Sequence, residues 1–217
     1  INNCFFLMIY TFTSDSFFEC CNMLATKDSD LKTIIAEYGY PPMWQRAESF
    51  ETLLLIILEQ QVSLASAKAA YQKLEDYIGW ITPKKLLELT NTELRACYFS
   101  RQKIVYSRDL ATNIIQKNLN LASLRWMSDD AARAALMEIK GIGNWSADVY
   151  LMFALQRCNC FPKGDIALQK AMRELKGLDK HVPIEKIVLL AEAWAPYKTI
   201  GAYLLWHYYL SKRGIAV

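Results

Sequence analysis

From about residue 15 onward, apolar positions recur three and four residues apart and strict alternation is absent beyond the first dozen positions. That period belongs to helices with one buried face. The stretch SFETLLLIILEQQVSLASAKAAYQKLEDYI is apolar on most faces early and amphipathic late, which predicts a buried helix, a break near Gln60–Ser63, and a second helix. TPKKLLEL places Thr82 as N-cap with Pro83 at the first helical position. SRQKIVYSRDLATNIIQK is amphipathic behind Ser100, SDDAARAALMEI opens on an acidic first turn suited to the helix dipole, and PIEKIVLLAEAW and PYKTIGAYLLWHYYLSK both start at prolines. The pattern predicts an all-α fold of roughly ten helices joined by short loops. Residues 1–14 form a leader with no assigned role, and 15–217 one helical domain.

Composition changes this picture little. The chain has 217 residues, 53% of them hydrophobic, enough to bury a core, and a net charge of +3 that permits a nucleic-acid partner without requiring one. The leader, INNCFFLMIYTF, is too short to span a bilayer, and the first basic residue, Lys27, comes too late for a secretory signal. The six cysteines (Cys4, Cys20, Cys21, Cys97, Cys158, Cys160) form no CxxC pair, which favours free thiols in a reducing compartment. His181 and His207 lack metal-ligand spacing, so no zinc is expected.

Two stretches carry candidate chemistry. In LMEIKGIGNWSADVYLMFAL, Leu136 and Ile139 end one helix, Gly141 and Gly143 flank Ile142, and a second helix starts near Asn144. Two readings stand side by side. The turn is a tight corner with Ile142 as plug, or the amides of Gly143, Asn144, Trp145 and Ser146 form an anion site for a nucleic-acid phosphate. Downstream, Asp165 in CFPKGDIALQKAMREL opens a helix. It is a simple N-cap, or a fixed carboxylate that stabilises an oxocarbenium ion and orients water toward a sugar carbon.

Taken together, KGIGNWSAD followed by Asp165 in FPKGDIAL resembles the helix-hairpin-helix superfamily of base-excision DNA glycosylases. ILEQQVSLASA (Ile57–Ala67) looks like the wedge region, and WAPYKTIGAYLLW (Trp194–Trp206) the C-terminal signature, of the DNA-3-methyladenine glycosylase II branch. The resemblance, over about residues 16–212, implies two packed helical subdomains. It makes Asp165 the catalytic carboxylate and Gln61 the wedge beside Gln60. It gives Trp145, Trp206 and Tyr150 to the base pocket, with Val149 where some relatives have another aromatic. It puts Lys103, Gly141, Gly143, Asn144 and Ser146 near DNA, and a monovalent cation on the backbone of Met137, Ile139 and Ile142.

Trp145 stands where bifunctional branches carry a lysine nucleophile, and tryptophan cannot form a Schiff base, so no β-lyase activity is expected. No cysteine follows Cys160, so no iron–sulfur cluster is expected. The implied activity is hydrolysis of the N-glycosidic bond of alkylated purines such as 3-methyladenine and 7-methylguanine. The implied enzyme is a monomer acting on double-stranded DNA away from membranes, in a bacterial cytoplasm or a nucleus. The resemblance implies that the β-rich N-terminal domain of some bacterial members is missing or cut away here. A non-catalytic lesion-binding module on the same scaffold is the alternative.

Overall fold

The computed structural model describes residues 10–215. Among them are thirteen helices in chain order. They are α1 (Ser14–Lys27), α2 (Ser29–Tyr38), α3 (Phe50–Glu59), α4 (Leu64–Ile78), α5 (Pro83–Glu88), α6 (Asn91–Ala96) and α7 (Arg101–Ile115). There follow α8 (Leu121–Leu124), α9 (Asp129–Met137), α10 (Asn144–Phe153), α11 (Ile166–Leu175), α12 (Ile184–Glu192) and α13 (Lys198–Ser211). No strand is formed among the described residues; one isolated bridge joins Thr11 to Arg157. The fold is all-α, with short elements such as α6 and α8 accounting for helices beyond those the periodicity resolves.

Local chemistry sets most helix starts. Side chains of Ser49, Ser63, Thr82, Ser100 and Ser128 accept backbone amides at the starts of α3, α4, α5, α7 and α9. Pro83 follows Thr82 at the first turn of α5. The break between α3 and α4 falls where the sequence placed it, at Gln60–Ser63. Two boundaries differ: α9 stops at Met137, leaving Ile139 in the turn, and α13 begins at Lys198, with Tyr197 as its cap.

The chain divides into two compact units. One joins the chain ends, up to Gln45 and from Gln156 onward. Its centre is α13, buried from Thr199 to Leu205, with α1, α2 and α11 against it. Asp28, the N-cap of α2, accepts 2.8 Å bonds from Lys176 Nζ and Trp194 Nε1, which ties the early helices to the late ones. Part of the leader belongs to this unit: Phe12 is 2% exposed and packs on Phe17 and Tyr203, and Thr13 caps α1. Residues 1–9 lie outside the described region.

The other unit runs from Arg46 to Leu155. Its α3 is buried at seven positions, as its nearly uniform apolar run demands, and packs on α4, α7 and α10. Arg46 holds Glu59 at the end of α3 through two bonds of 2.9 and 2.7 Å, with its guanidinium 5.2 Å from the Phe153 ring centroid. The five described cysteines are buried and none is in a disulfide among the described residues. Among the described residues no helix is long and apolar enough to cross a membrane.

Candidate active site and nucleic-acid interface

The hairpin between α9 and α10 is held from several sides. Ile139 and Ile142 are buried, and the Ile142 amide donates to the Ile139 carbonyl at 3.0 Å. The Lys140 amide donates to Asp109 Oδ2 on α7 at 2.8 Å. Arg133 Nε of α9 reaches Asp148 Oδ1 of α10 at 2.9 Å. Ile142 is thus the plug between helices that the sequence suggested.

The two glycines have different reasons to be there. Gly141 has φ +89°, and a Cβ on it would lie 2.2 Å from the Tyr106 ring, so the fold itself requires glycine. Gly143, the N-cap of α10, has φ −102° and ψ −175°, which any residue adopts, and a Cβ there would meet nothing within 4 Å. It is exposed and makes no side-chain cap bond. Nothing inside the protein explains Gly143, whereas a ligand approaching the first-turn amides of α10 would. Asn144 is exposed beside it and Trp145 is half-buried.

Gln60 faces the hairpin. Its Nε2 donates to the Gly141 carbonyl at 2.8 Å and to Ser146 Oγ at 2.9 Å. Gln61 turns the other way, exposed at φ +57°. Lys103, expected near DNA, is half-buried and its Nζ donates to the Leu58 carbonyl in the last turn of α3. Burial pushes its pKa down. A lysine there satisfies a carbonyl orphaned by the helix end. Gln60 and Lys103 therefore brace the turn that presents Gln61. The proposed cation ligands Met137, Ile139 and Ile142 are neutral backbone oxygens of this hairpin, a donor type suited to a hard cation.

Tyr150 presents no surface to a base: it is 0% exposed, and its hydroxyl has no hydrogen-bond partner. Burial, and then the Glu48 charge, push its pKa up. It follows Val149, also buried, on the inward side of α10.

In the unit formed by the chain ends, Asp165 is the N-cap of α11. Its Oδ1 accepts the Leu168 amide at 2.9 Å and the Trp206 indole Nε1 at 3.2 Å. Trp206 packs edge-on against Trp44, ring centroids 6.2 Å apart, and beside Tyr203 at 6.1 Å. Tyr203 donates its hydroxyl to the Trp44 carbonyl at 2.8 Å. A half-buried carboxylate thus sits beside a braced aromatic wall. Trp44 was missed in the sequence, because its PPMW loop has no periodicity to mark it.

Comparisons with known proteins place the chain as a whole. A Bacillus subtilis relative, YfjP, is 29% identical over 82% of this chain, and the chain spans 65% of that protein's length. DNA-3-methyladenine glycosylase 1 of Schizosaccharomyces pombe is 26% identical over 81% of this chain and 79% of its own length. The solved structure of the Schizosaccharomyces pombe 3-methyladenine DNA glycosylase Mag1 in complex with abasic DNA superimposes with a TM-score of 0.81 at 25% identity, covering 87% of this chain and 95% of that one. Residues 54–196, which include the Gln60–Gln61 turn, Lys103, the hairpin and Asp165, match the pattern of the HhH-GPD superfamily base excision DNA repair protein, and the chain belongs to that family.

Proposed function

We propose that the protein is a monofunctional DNA glycosylase that releases alkylated purines from duplex DNA. The observation that carries this reading is Asp165, whose Oδ1 is fixed by the Leu168 amide and the Trp206 indole beside a wall of Trp206, Trp44 and Tyr203. Similarity to relatives named 3-methyladenine glycosylases supports the choice of alkylated purines.

The steps follow from these groups. The first-turn amides of α10, reached past the bare Gly143, take a DNA backbone phosphate. Gln61 enters the duplex and helps the damaged nucleotide swing out, at a cost of roughly a few kcal/mol. The alkylated base, electron-poor and cationic, stacks on Trp206. As the bond from C1′ to the base nitrogen breaks, its electron pair leaves with the base and neutralises the positive charge of the alkylated ring. Positive charge grows on the sugar, and the Asp165 carboxylate stabilises it. Water adds to C1′ and gives up a proton, leaving an abasic site and a free base. A leaving group that starts cationic needs no strong general acid. Trp145, standing in place of a lysine, cannot form a Schiff base, so the strand stays intact. The enzyme works as a monomer wherever the cell keeps its DNA; the backbone carbonyls of Met137, Ile139 and Ile142 would hold a monovalent cation, which would add positive charge near the phosphate.

The N-cap bond of Asp165 favours a second reading, a lesion-binding module without turnover. Base release from methylated duplex DNA by wild type and Asp165→Asn, with mild alkali to cut abasic sites, separates the two. Release by wild type alone, with breaks only after alkali, supports the glycosylase; lesion binding by both without release supports the module.

A further inference from the structure

Thr199, in the first turn of α13, is fully buried, and its hydroxyl reaches out of its own helix. Oγ1 donates to the Arg157 carbonyl at 2.6 Å, with the Cys160 carbonyl further off at 3.3 Å, and accepts the Cys160 amide at 3.0 Å. The Thr199 amide, one of those that a helix start leaves without an acceptor in its own helix, donates to the Cys158 carbonyl at 2.9 Å. Arg157, Cys158 and Cys160 are all buried. One residue thus clamps the segment that leads to Asp165 at three successive places. Phe161 then stands edge-on to Trp194, ring centroids 6.2 Å apart. Trp194 lies so close to α13 that a Cβ on Gly201 would fall 2.2 Å from its ring. Only residues 161–164 separate the clamp from Asp165.

We propose that Thr199 is a positioning residue for Asp165: it fixes the segment entering α11 to the same helix whose Trp206 indole orients the carboxylate. The inference rests on the reading that Asp165 acts on the sugar. Trp206 lies seven residues after Thr199, two turns along the same face of α13 and about 10 Å away. The helix therefore sets the distance between the clamp and the group that holds Asp165 Oδ1. A threonine inside a helix ordinarily bonds back into that helix or faces solvent. Valine would fill the same buried volume. A hydroxyl that donates and accepts across to another segment has its explanation in where it holds that segment. Accurate placement is worth the cost, because a shift of about 1 Å in a reacting group lowers a rate by about a hundredfold.

The test uses the full chain as wild type, Thr199→Val and Thr199→Ser, all assayed well below the lowest melting temperature. Should Thr199→Val not fold, Thr199→Ala is the second variant without the hydroxyl, with room for a water at the Cys160 amide. Three quantities are read: single-turnover release of methylpurine from methylated duplex DNA, affinity for a duplex holding a tetrahydrofuran abasic analogue, and hydrogen exchange of the Trp206 indole Nε1–H by NMR. That resonance is assigned by its loss in Trp206→Phe. Without the hydroxyl, release is expected to fall at least tenfold and indole exchange to rise several-fold, with abasic-duplex affinity unchanged. Thr199→Ser is expected to restore both. A role in stability alone would lower the melting temperature and leave release and exchange as in wild type, and that result overturns the inference. So does a fall in release matched by an equal fall in affinity. If wild type itself releases no base, the glycosylase reading is lost, and the indole exchange by itself decides whether Thr199 positions Asp165.

Discussion

The Trp206 indole donates to Asp165 Oδ1 across 3.2 Å, so one side chain of α13 both orients the carboxylate at the start of α11 and offers an aromatic face. The same oxygen caps α11 through Leu168. Capping and the proposed chemistry, which compete as explanations of Asp165, place compatible demands on one oxygen.

This arrangement makes Asp165→Asn an informative variant. Asparagine caps about as well as aspartate, so the melting temperature is expected to stay close to that of wild type. Base release should fall by about a hundredfold or more, the scale for losing one fixed electrostatic partner of a developing charge. Single-turnover release of methylpurine, set beside a melting curve, checks both parts.

The hairpin glycines should separate just as cleanly. Gly141→Ala forces a side chain into the Tyr106 ring at a positive φ, with an expected loss of about 1–3 kcal/mol in urea unfolding. Gly143→Ala meets nothing within 4 Å, so any stability loss should be small. Its defect should appear as weaker DNA binding, with a shallower dependence of affinity on salt as a phosphate contact is lost.

How much of this could be read in the sequence depends on range. Ser49, Ser63, Thr82, Ser100, Ser128 and Asp165 start helices through bonds two or three residues away, and such signals survive in a linear string. The hairpin was visible for the same reason. Gln60 was different: its partners Gly141 and Ser146 lie more than eighty positions further on, and nothing in ILEQQVS shows which glutamine turns inward. Lys103, which the resemblance puts near DNA, gives no sign in the sequence of its acceptor, a carbonyl of another helix. Tyr150 lies in a stretch of α10 that is buried at every position from Ser146 to Met152, so no periodicity marks which of its side chains would reach a pocket. The pairing of Trp44 with Trp206 joins a loop to a helix from the far end of the chain, and no periodic pattern records that.

Gln60 supplies a further prediction. Gln60→Ala removes both donors from the hairpin, with an expected loss of about 1–3 kcal/mol, since the two bonds are net modest and the Gly141 carbonyl and Ser146 hydroxyl must find other partners. Gln60→Glu keeps the shape but sets a carboxylate against the Gly141 carbonyl oxygen, and should be worse than alanine in DNA affinity. Urea midpoints and duplex binding, measured for both, check the order; equal DNA affinity in all three proteins would show that the hairpin does not depend on this brace.

The ion pair between Asp28 and Lys176 governs the response to acid. Burial by itself would raise the Asp28 carboxyl; bonds from Lys176 and Trp194, together with the Lys176 charge, overrule it and hold the group below its ordinary 3.8. A depressed carboxyl contributes stability that is fully present above the unfolded value and is lost as pH falls through the folded one. Lys176 works in the opposite sense. Burial lowers it, the bonds it donates to Asp28 and Asp30 raise it above 10.5, and its contribution is lost as pH rises through the folded value. The pair should therefore add a constant amount across the neutral range and fade below about pH 4. Asp28→Asn keeps an N-cap for α2 but leaves Lys176 with its charge only partly answered by Asp30, at an expected cost of about 1–3 kcal/mol near pH 7. Below the folded value the wild-type carboxyl is itself neutral, so the two proteins should converge. Urea midpoints of wild type and variant between about pH 7 and about pH 2.5 check this, and a gap that stays constant down to the acid end would show that the carboxylate charge contributes nothing.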